Sequence, residues 1–449
     1  MHPWSQWVSL VLALLGFALA LQSRAHESES GWSAGPFRVI MWPRLVRFPI
    51  FWIGLALLLY VTVQGFNPSS RYATNGPSWW LVPVGNVSWL PTSVETPWSL
   101  SDPWHQLIIY AAAWLVICSV WIGITRRRSC RILLGVLMGN AVALGALLAF
   151  QRVRNDLHPP WPLDVFTERL NLNASFIYKN HAGAYLALMT FTAIALATWG
   201  YDQGARTLKK STPAAALVLV TLFLASAVLF TGSRSASLTL GVTLAFFSGW
   251  FLLRRKLRPV VTGTDSRVTL MVIMIFAGFV LYTFRSLDFS EINRGFGVMI
   301  ENGVKEASVS SRLEARAAGV TMLEDLGWRG VGAGSFRHLF PAYVSRYPDI
   351  YQGGQLFWEH VHNDWLEIPI ELGAVGVAIL LAGAGYGLAL LIRRRALWYS
   401  AMVPVLFGCM ATLLHAWMDF PFQCPAILVT WCLLLTLVLR SLEMEKLKN

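Results

Sequence analysis

Charge is what this chain has least of: 13% of its 449 residues are Asp, Glu, Lys or Arg, against 55% hydrophobic. A soluble enzyme of this length carries more polar surface than that, so the composition excludes that class and points to a polytopic membrane protein. Cysteine is also sparse. Cys118, Cys130, Cys409, Cys424 and Cys432 lie in or beside apolar runs without paired spacing, which gives neither a disulfide framework nor a zinc site. No polar stretch is long enough to stand alone, and there is no clear repeat or low-complexity tail. Residues 1–449 therefore read as one membrane domain.

What is abundant is apolar sequence in helix-spanning lengths. Eleven runs suit a helix crossing about 30 Å of hydrocarbon. They are Trp7 to Leu21, Pro49 to Phe66, Gln106 to Ile124, Ile132 to Phe150, His181 to Trp199, Pro213 to Thr231, Ser235 to Leu253, Val268 to Phe284, Trp365 to Ile392, Leu397 to Trp417 and Cys424 to Leu439. The expected fold class is all-α, a polytopic helical membrane protein of about 11–12 transmembrane helices with a large extracytoplasmic loop containing short helices.

The formal net charge of +12 does not signal nucleic acid, because the cations fall in short clusters between spans: Arg126 to Arg128 with Arg131, Arg254 to Lys256 with Arg258, and Arg393 to Arg395. Placing the segments after alternate spans in the cytoplasm, starting with the first, collects roughly 22 of the 36 Lys and Arg there, the positive-inside pattern. Arg71 is the lone cation between Phe66 and Gln106 on the other side. The N-terminus is then expected outside and the tail with Lys446 and Lys448 inside. A cleaved signal peptide ending near Ala18-Leu19-Ala20 is the competing reading, and the missing basic n-region and the arginines that follow argue against it.

Three outer segments result. Asn67 to His105 is rich in Pro, Ser and Trp, which suits interfacial anchoring. Gln151 to Asn180 carries Arg152, Arg154, Arg169 and Lys179, matched either by an anionic partner or by Asp156, Asp164 and Glu168. The large loop, 285–364, has the capping-box form Ser311-Arg312-Leu313-Glu314, with Leu313, Ala317, Val320 and Leu323 at helical spacing before Gly327. That predicts an amphipathic helix with Arg312 and Arg316 on one face. Gly330, Gly332 and Gly334 predict a tight turn, and without a following Lys-Ser/Thr they do not form a nucleotide loop.

The chemistry-bearing stretch is FWEHVHNDWLEIPIELGAVG, Phe357 to Gly376, where His360, His362, Asn363, Asp364 and Glu367 run into a span. Ionisable residues at a bilayer edge are read as a site until a partner explains them. His362 suits a general base tuned by Asp364 or Glu367, or a helix cap. His360-x-His362 with Glu367 is a weak metal-ligand set. Arg234, in the short TGSRSAS hairpin, suits a phosphate clamp, or snorkelling, or capping of the preceding helix. His415 and Asp419, four apart, suit either catalysis or a helix-stabilising hydrogen bond. Asn180-His181, Arg234, Arg312 with Arg316, and His360 with His362 all fall on the outer side of the expected topology.

Over residues 171–425 the chain resembles the O-antigen ligase and polymerase family of bacterial membrane glycosyltransferases. The resemblance rests on KNHAGAYL at 179–186, TGSRSAS at 231–237, SSRLEAR, GWRGVGAGSF and PAY within 310–343, HNDWLEIPIELGAVG at 362–376 and HAWMDFPF at 415–422. It implies a multi-pass protein of the bacterial cytoplasmic (inner) membrane with its active site facing the periplasm or exterior. It implies a polyprenyl (undecaprenyl) diphosphate-linked glycan as donor, a lipid, glycan or protein hydroxyl as acceptor, and an inverting transfer without metal or other cofactor. His362 matches the family's essential histidine, Arg234 its Ser-Arg arginine and Arg312 its loop arginine, with Arg316 close by. The expected site is His362 as catalytic base, with Arg234, Arg312, Arg316, Asn180, Asn363 and His360 binding substrate. The family usually shows about twelve spans with both ends inside, one more than the eleven counted. The rival reading, a secondary transporter or lipid flippase, predicts charges near the bilayer midplane, which are few here.

Overall fold

The computed structural model describes residues 3–22, 24–25, 38–39, 41–97, 102–154, 172–206, 213–257, 278, 307–351, 357–399 and 402–446. In chain order the helices are α1 (Pro3–Leu21), α2 (Trp42–Val46), α3 (Pro49–Phe66), α4 (Pro103–Gly123), α5 (Arg127–Arg154), α6 (Lys179–Arg206), α7 (Ala214–Phe230) and α8 (Arg234–Leu257). They continue with α9 (Ala307–Leu326), α10 (Phe336–Leu339), α11 (Pro341–Val344), α12 (Asp364–Arg393), α13 (Ala396–Tyr399), α14 (Val403–His415) and α15 (Pro425–Lys446). Helices α3, α4, α5, α6, α8, α12 and α15 are long and apolar enough to cross a membrane, while α1, α7 and α14 carry shorter apolar stretches. The protein is an all-α polytopic membrane protein. Ten of the expected spans correspond to these helices; the eighth, Val268 to Phe284, lies outside the described residues apart from Gly278. The tenth is shorter than expected. α13 takes the start of it separately, and Pro404 in the first turn of α14 favours a fresh helix there.

The chain divides into two compact units, Met1–Thr125 with Ala307–Arg393, and Arg126–Glu306 with Arg394–Asn449. In the first, Ala13 of α1 packs with Ala112 and Leu115 of α4. Pro49 opens α3, where its missing N–H is no loss, and Asp102 caps α4 by accepting the His105 N–H at 2.9 Å. Between α3 and α4 the residues expected as an interfacial Trp-rich segment form a small sheet. Besides a two-residue pair, β1 (Arg24–Ala25) with β2 (Arg38–Val39), strand β3 (Pro68–Thr74) pairs antiparallel with β4 (Trp79–Pro83) and parallel with β5 (Ser93–Glu95). The turn is signalled by Asn75-Gly76: Gly76 has φ +97°, and Asn75 Oδ1 accepts the Ser78 N–H at 2.9 Å.

Helix α9 begins at Ala307, four residues before the expected cap, so Ser311 is an interior residue and not the helix cap. Its buried face is Ser311, Ala315, Ala318 and Met322, whereas Leu313 and Val320 of the expected apolar stripe are 48% and 45% exposed. Small residues face inward because α9 packs closely: a methyl on Gly319 would lie 2.9 Å from Val361 and 3.0 Å from Leu366. Gly327 ends the helix as expected, with φ +61° and its N–H on the Leu323 carbonyl.

In the second unit α6 is the buried centre, lined by Ala182, Ala184, Ala187, Ala193, Ala195 and Ala197. Small residues allow neighbouring backbones to approach; Gly408 of α14 sits against Leu188 and Phe191. Arg152 of α5 caps the end of α7, donating Nε–H to Phe230 O at 2.8 Å and Nη2–H to Thr231 O at 3.1 Å and Asn173 Oδ1 at 3.0 Å. Carbonyls at a helix end thus account for one cation of the second outer segment. Arg169, Asp156, Asp164 and Glu168 lie outside the described residues.

Candidate active site

In the first unit the residues ahead of α12 are fixed by that helix's own first turns. Asn363 is its cap: Oδ1 accepts the Trp365 N–H at 3.0 Å, and the backbone carbonyl accepts the N–H of Glu367 at 2.9 Å. Glu367, fully buried, turns back over the incoming chain. Its Oε1 lies 2.5 Å from His360 Nδ1 and its Oε2 accepts the Val361 N–H at 2.8 Å. Burial alone would lower the His360 pKa, but the carboxylate on its ring, with Glu371 and Glu359 nearby, holds it above the ordinary histidine range. Glu367 therefore pairs with His360, whereas the sequence offered it as a tuning partner for His362.

His362 is buried and has φ +56°, the left-handed region that a β-carbon disfavours. Holding a non-glycine residue there costs about 1–3 kcal/mol, and such strain is concentrated at functional sites. Contacts from α9 and from the incoming chain hold the residue. Arg316 Nη2 donates to the His362 carbonyl at 3.4 Å, and the Trp358 ring meets the imidazole edge-on at 5.5 Å between centroids. Arg316 is thereby joined to the histidine, and Arg312 stands one turn earlier on α9. His360, His362, Asn363 and Arg316 are brought together. Among the described residues no group of three or more His, Cys, Asp or Glu is placed to hold a metal ion.

Below this turn α12 breaks at Gly373, with φ +62° and ψ −174°. The Gly-rich segment fills the break: Val331 N–H donates to Ile370 O and Gly332 N–H to Glu371 O, each at 2.9 Å, and Ala374 N–H to Trp328 O at 2.8 Å. Gly330 and Gly332, both at positive φ, permit this approach of backbone to backbone. From α3, Tyr60 donates to Leu372 O at 2.5 Å and Gln64 to Glu371 O at 3.1 Å. Glu371, whose role the sequence did not reveal, accepts the Phe336 N–H at 3.4 Å.

In the second unit Asn180, at the start of α6, donates to Asp419 Oδ2 and lies 2.7 Å from the Tyr178 hydroxyl. His181 Nε2 is 3.2 Å from Phe420 O. Asp419 also accepts the Phe420 N–H at 3.0 Å, while the His415 ring lies 3.3 Å from Ser235 Oγ. The spacing expected to pair His415 with Asp419 brings the Asp419 N–H onto the His415 carbonyl at 2.9 Å. Arg234 is exposed at the first position of α8, after a turn with Gly232 at φ +69°.

Comparison with known proteins adds one match. The family model described as O-antigen ligase matches residues 215–381, a segment that includes Arg234, Arg312, Arg316, His360, His362, Glu367 and Glu371. No curated protein matches the chain. With its apolar helices and the site-bearing segment inside the matched region, the chain resembles the O-antigen ligases, a likeness that suggests glycan transfer at a membrane.

Proposed function

We propose that this protein transfers a glycan from a polyprenyl diphosphate carrier to an acceptor hydroxyl at the outer face of the cytoplasmic membrane. The observation that carries the reading is His362, held at positive φ at the mouth of α12 by Arg316 on its carbonyl, inside the segment that matches the O-antigen ligases. An imidazole titrates near neutral pH and suits proton removal from a hydroxyl. In this reaction the acceptor O–H gives its proton to His362 as the oxygen attacks the anomeric carbon. The bond from that carbon to the diphosphate breaks on the opposite face, so the configuration inverts. Arg312 stabilises the charge that gathers on the departing diphosphate, which needs no metal in this reading. Arg234 is assigned phosphate binding on its planar fork and permanent charge. Asn363 acts by capping α12, and Asn180 by tying the start of α6 to Asp419.

The test uses purified full-length protein, a polyprenyl diphosphate-linked glycan and candidate acceptors. His362→Ala should still accumulate in the membrane but lose about 10² to 10⁴ in turnover, the span of a general base. Near-normal turnover in that variant refutes the base assignment, and loss of wild-type turnover on adding a chelator refutes the metal-free scheme. Surface glycans from a deletion strain separate the acceptors, through lost attachment to lipid, lost chain length or lost glycoprotein.

A further inference from the structure

The base reading leaves unexplained why a carboxylate lies fully buried one helical turn inside α12. Both Glu367 oxygens are committed to the two residues preceding His362: Oε1 to the His360 ring at 2.5 Å and Oε2 to the Val361 N–H at 2.8 Å. A carboxylate with no exposure and two charge-assisted contacts is a rigid tie, because releasing either partner leaves a buried charge short of a bond. The tied segment ends at His362, whose φ of +56° is not one the residue adopts by itself. Downstream the chain is fixed by Asn363 as the α12 cap, and at the histidine carbonyl by Arg316. Upstream, Trp358 and Val361 are buried in the core that α9 covers. Glu367 fastens the last exposed stretch, since the His360 side chain retains 26% exposure.

We infer that Glu367 is the positioning residue of the base: by clamping His360 and Val361 it holds the His362 backbone in its left-handed conformation and so aims the imidazole. This rests on the assignment of His362 above. It gives His360 a role as the outer half of the clamp, in place of a substrate contact. A displacement on the order of 1 Å is enough to lower a rate about a hundredfold, so loosening the clamp should act on turnover and leave donor affinity alone.

The experiment compares Glu367→Gln, His360→Leu, His360→Gln and His362→Ala in full-length protein, measuring kcat, donor KM and amide exchange of residues 357–363. Glu367→Gln keeps shape but cannot accept at both oxygens, and should lower kcat by about 10- to 100-fold with donor KM within about twofold and faster exchange at Val361. His360→Leu cuts the outer arm alone and should show the same split more weakly; it stands in if Glu367→Gln fails to accumulate. His360→Gln can still donate to Glu367 and should retain most of the turnover that the leucine variant loses. Unchanged kcat in Glu367→Gln, or in His360→Leu where that variant stands in, overturns the inference, as does a rise in donor KM at constant kcat. Active His362→Ala protein instead overturns the base assignment on which the inference rests.

Discussion

Gly373→Ala tests whether the broken span is a built joint. At φ +62° and ψ −174° the residue occupies a region open essentially to glycine, at a penalty of about 1–3 kcal/mol for another residue. The added methyl would lie 2.5 Å from the Arg329 carbonyl carbon and 2.7 Å from its oxygen. Relieving such overlap in a packed interior costs about 1–3 kcal/mol. The Ala374 N–H to Trp328 O bond, 2.8 Å long, is parted in the process, for about 1 kcal/mol more. The total, roughly 3–7 kcal/mol, is a large share of a typical folding stability of about 5–15 kcal/mol. Gly385→Ala on the same helix is the control: nothing lies within 4 Å of its added methyl, and it should stabilise by up to about 1 kcal/mol through helix propensity. The assay is thermal unfolding in detergent with membrane accumulation as a second readout. Gly373→Ala protein melting with Gly385→Ala would refute the joint.

Two shorter predictions concern charge. Arg234→Lys should impair transfer nearly as much as Arg234→Ala, since lysine keeps the charge without the bidentate fork; full activity in the lysine variant reduces Arg234 to a point charge, and activity in the alanine variant removes it from phosphate binding. The His360–Glu367 pair predicts a pH-dependent stability term: because the folded-state His360 pKa lies above its ordinary 6.5, the contribution is complete below about pH 6.5 and is lost as pH rises through the folded value. Unfolding midpoints across that range should fall with rising pH in the native protein and fall less in His360→Leu, and identical slopes would exclude the pair as the source.

The spans were legible because lipid demands unbroken apolar helices of a set length, and that demand is written residue by residue from Pro49 to Phe66 and from Trp365 to Ile392. The polar turn at His360 to Glu367 was legible for the converse reason, since ionisable groups at a span's mouth stand out. The buried face of α9 was not. Where apolar residues can face outward as well as inward, Leu313 and Val320 give no direction. Close approach instead selects Ala315, Ala318 and Gly319, which carry little hydrophobic signal. The β3–β4 hairpin was marked by Asn75-Gly76 between aromatic and β-branched residues, but the Trp-rich composition of its segment, Trp79 and Trp80 of the hairpin included, read more loudly as membrane anchoring. Which residue Glu367 holds depends on how the chain turns at Asn363, and no spacing in the sequence fixes that.

The break at Gly373 bears on the class of protein as well as on its stability. Interrupted spans are typical of secondary transporters, where the unwound carbonyls and half-helix ends stay available to bind substrate or ion near the bilayer middle. Here those groups are taken by the protein itself. The carbonyls of Ile370, Glu371 and Leu372 accept from Val331, Gly332, Gln64 and Tyr60, and Trp328 O takes the Ala374 N–H. A transport site would have to break these bonds in each cycle, leaving polar backbone groups unpaired within a span. The break instead locks the Gly-rich segment, and with it the end of α9, onto α12. Arg316, reaching His362 from α9, therefore depends on the joint for its position. An interruption that secures an arginine against the backbone of a strained histidine suits a fixed chemical site better than an alternating one, and it makes loss of transfer the expected companion of any change that loosens Gly373.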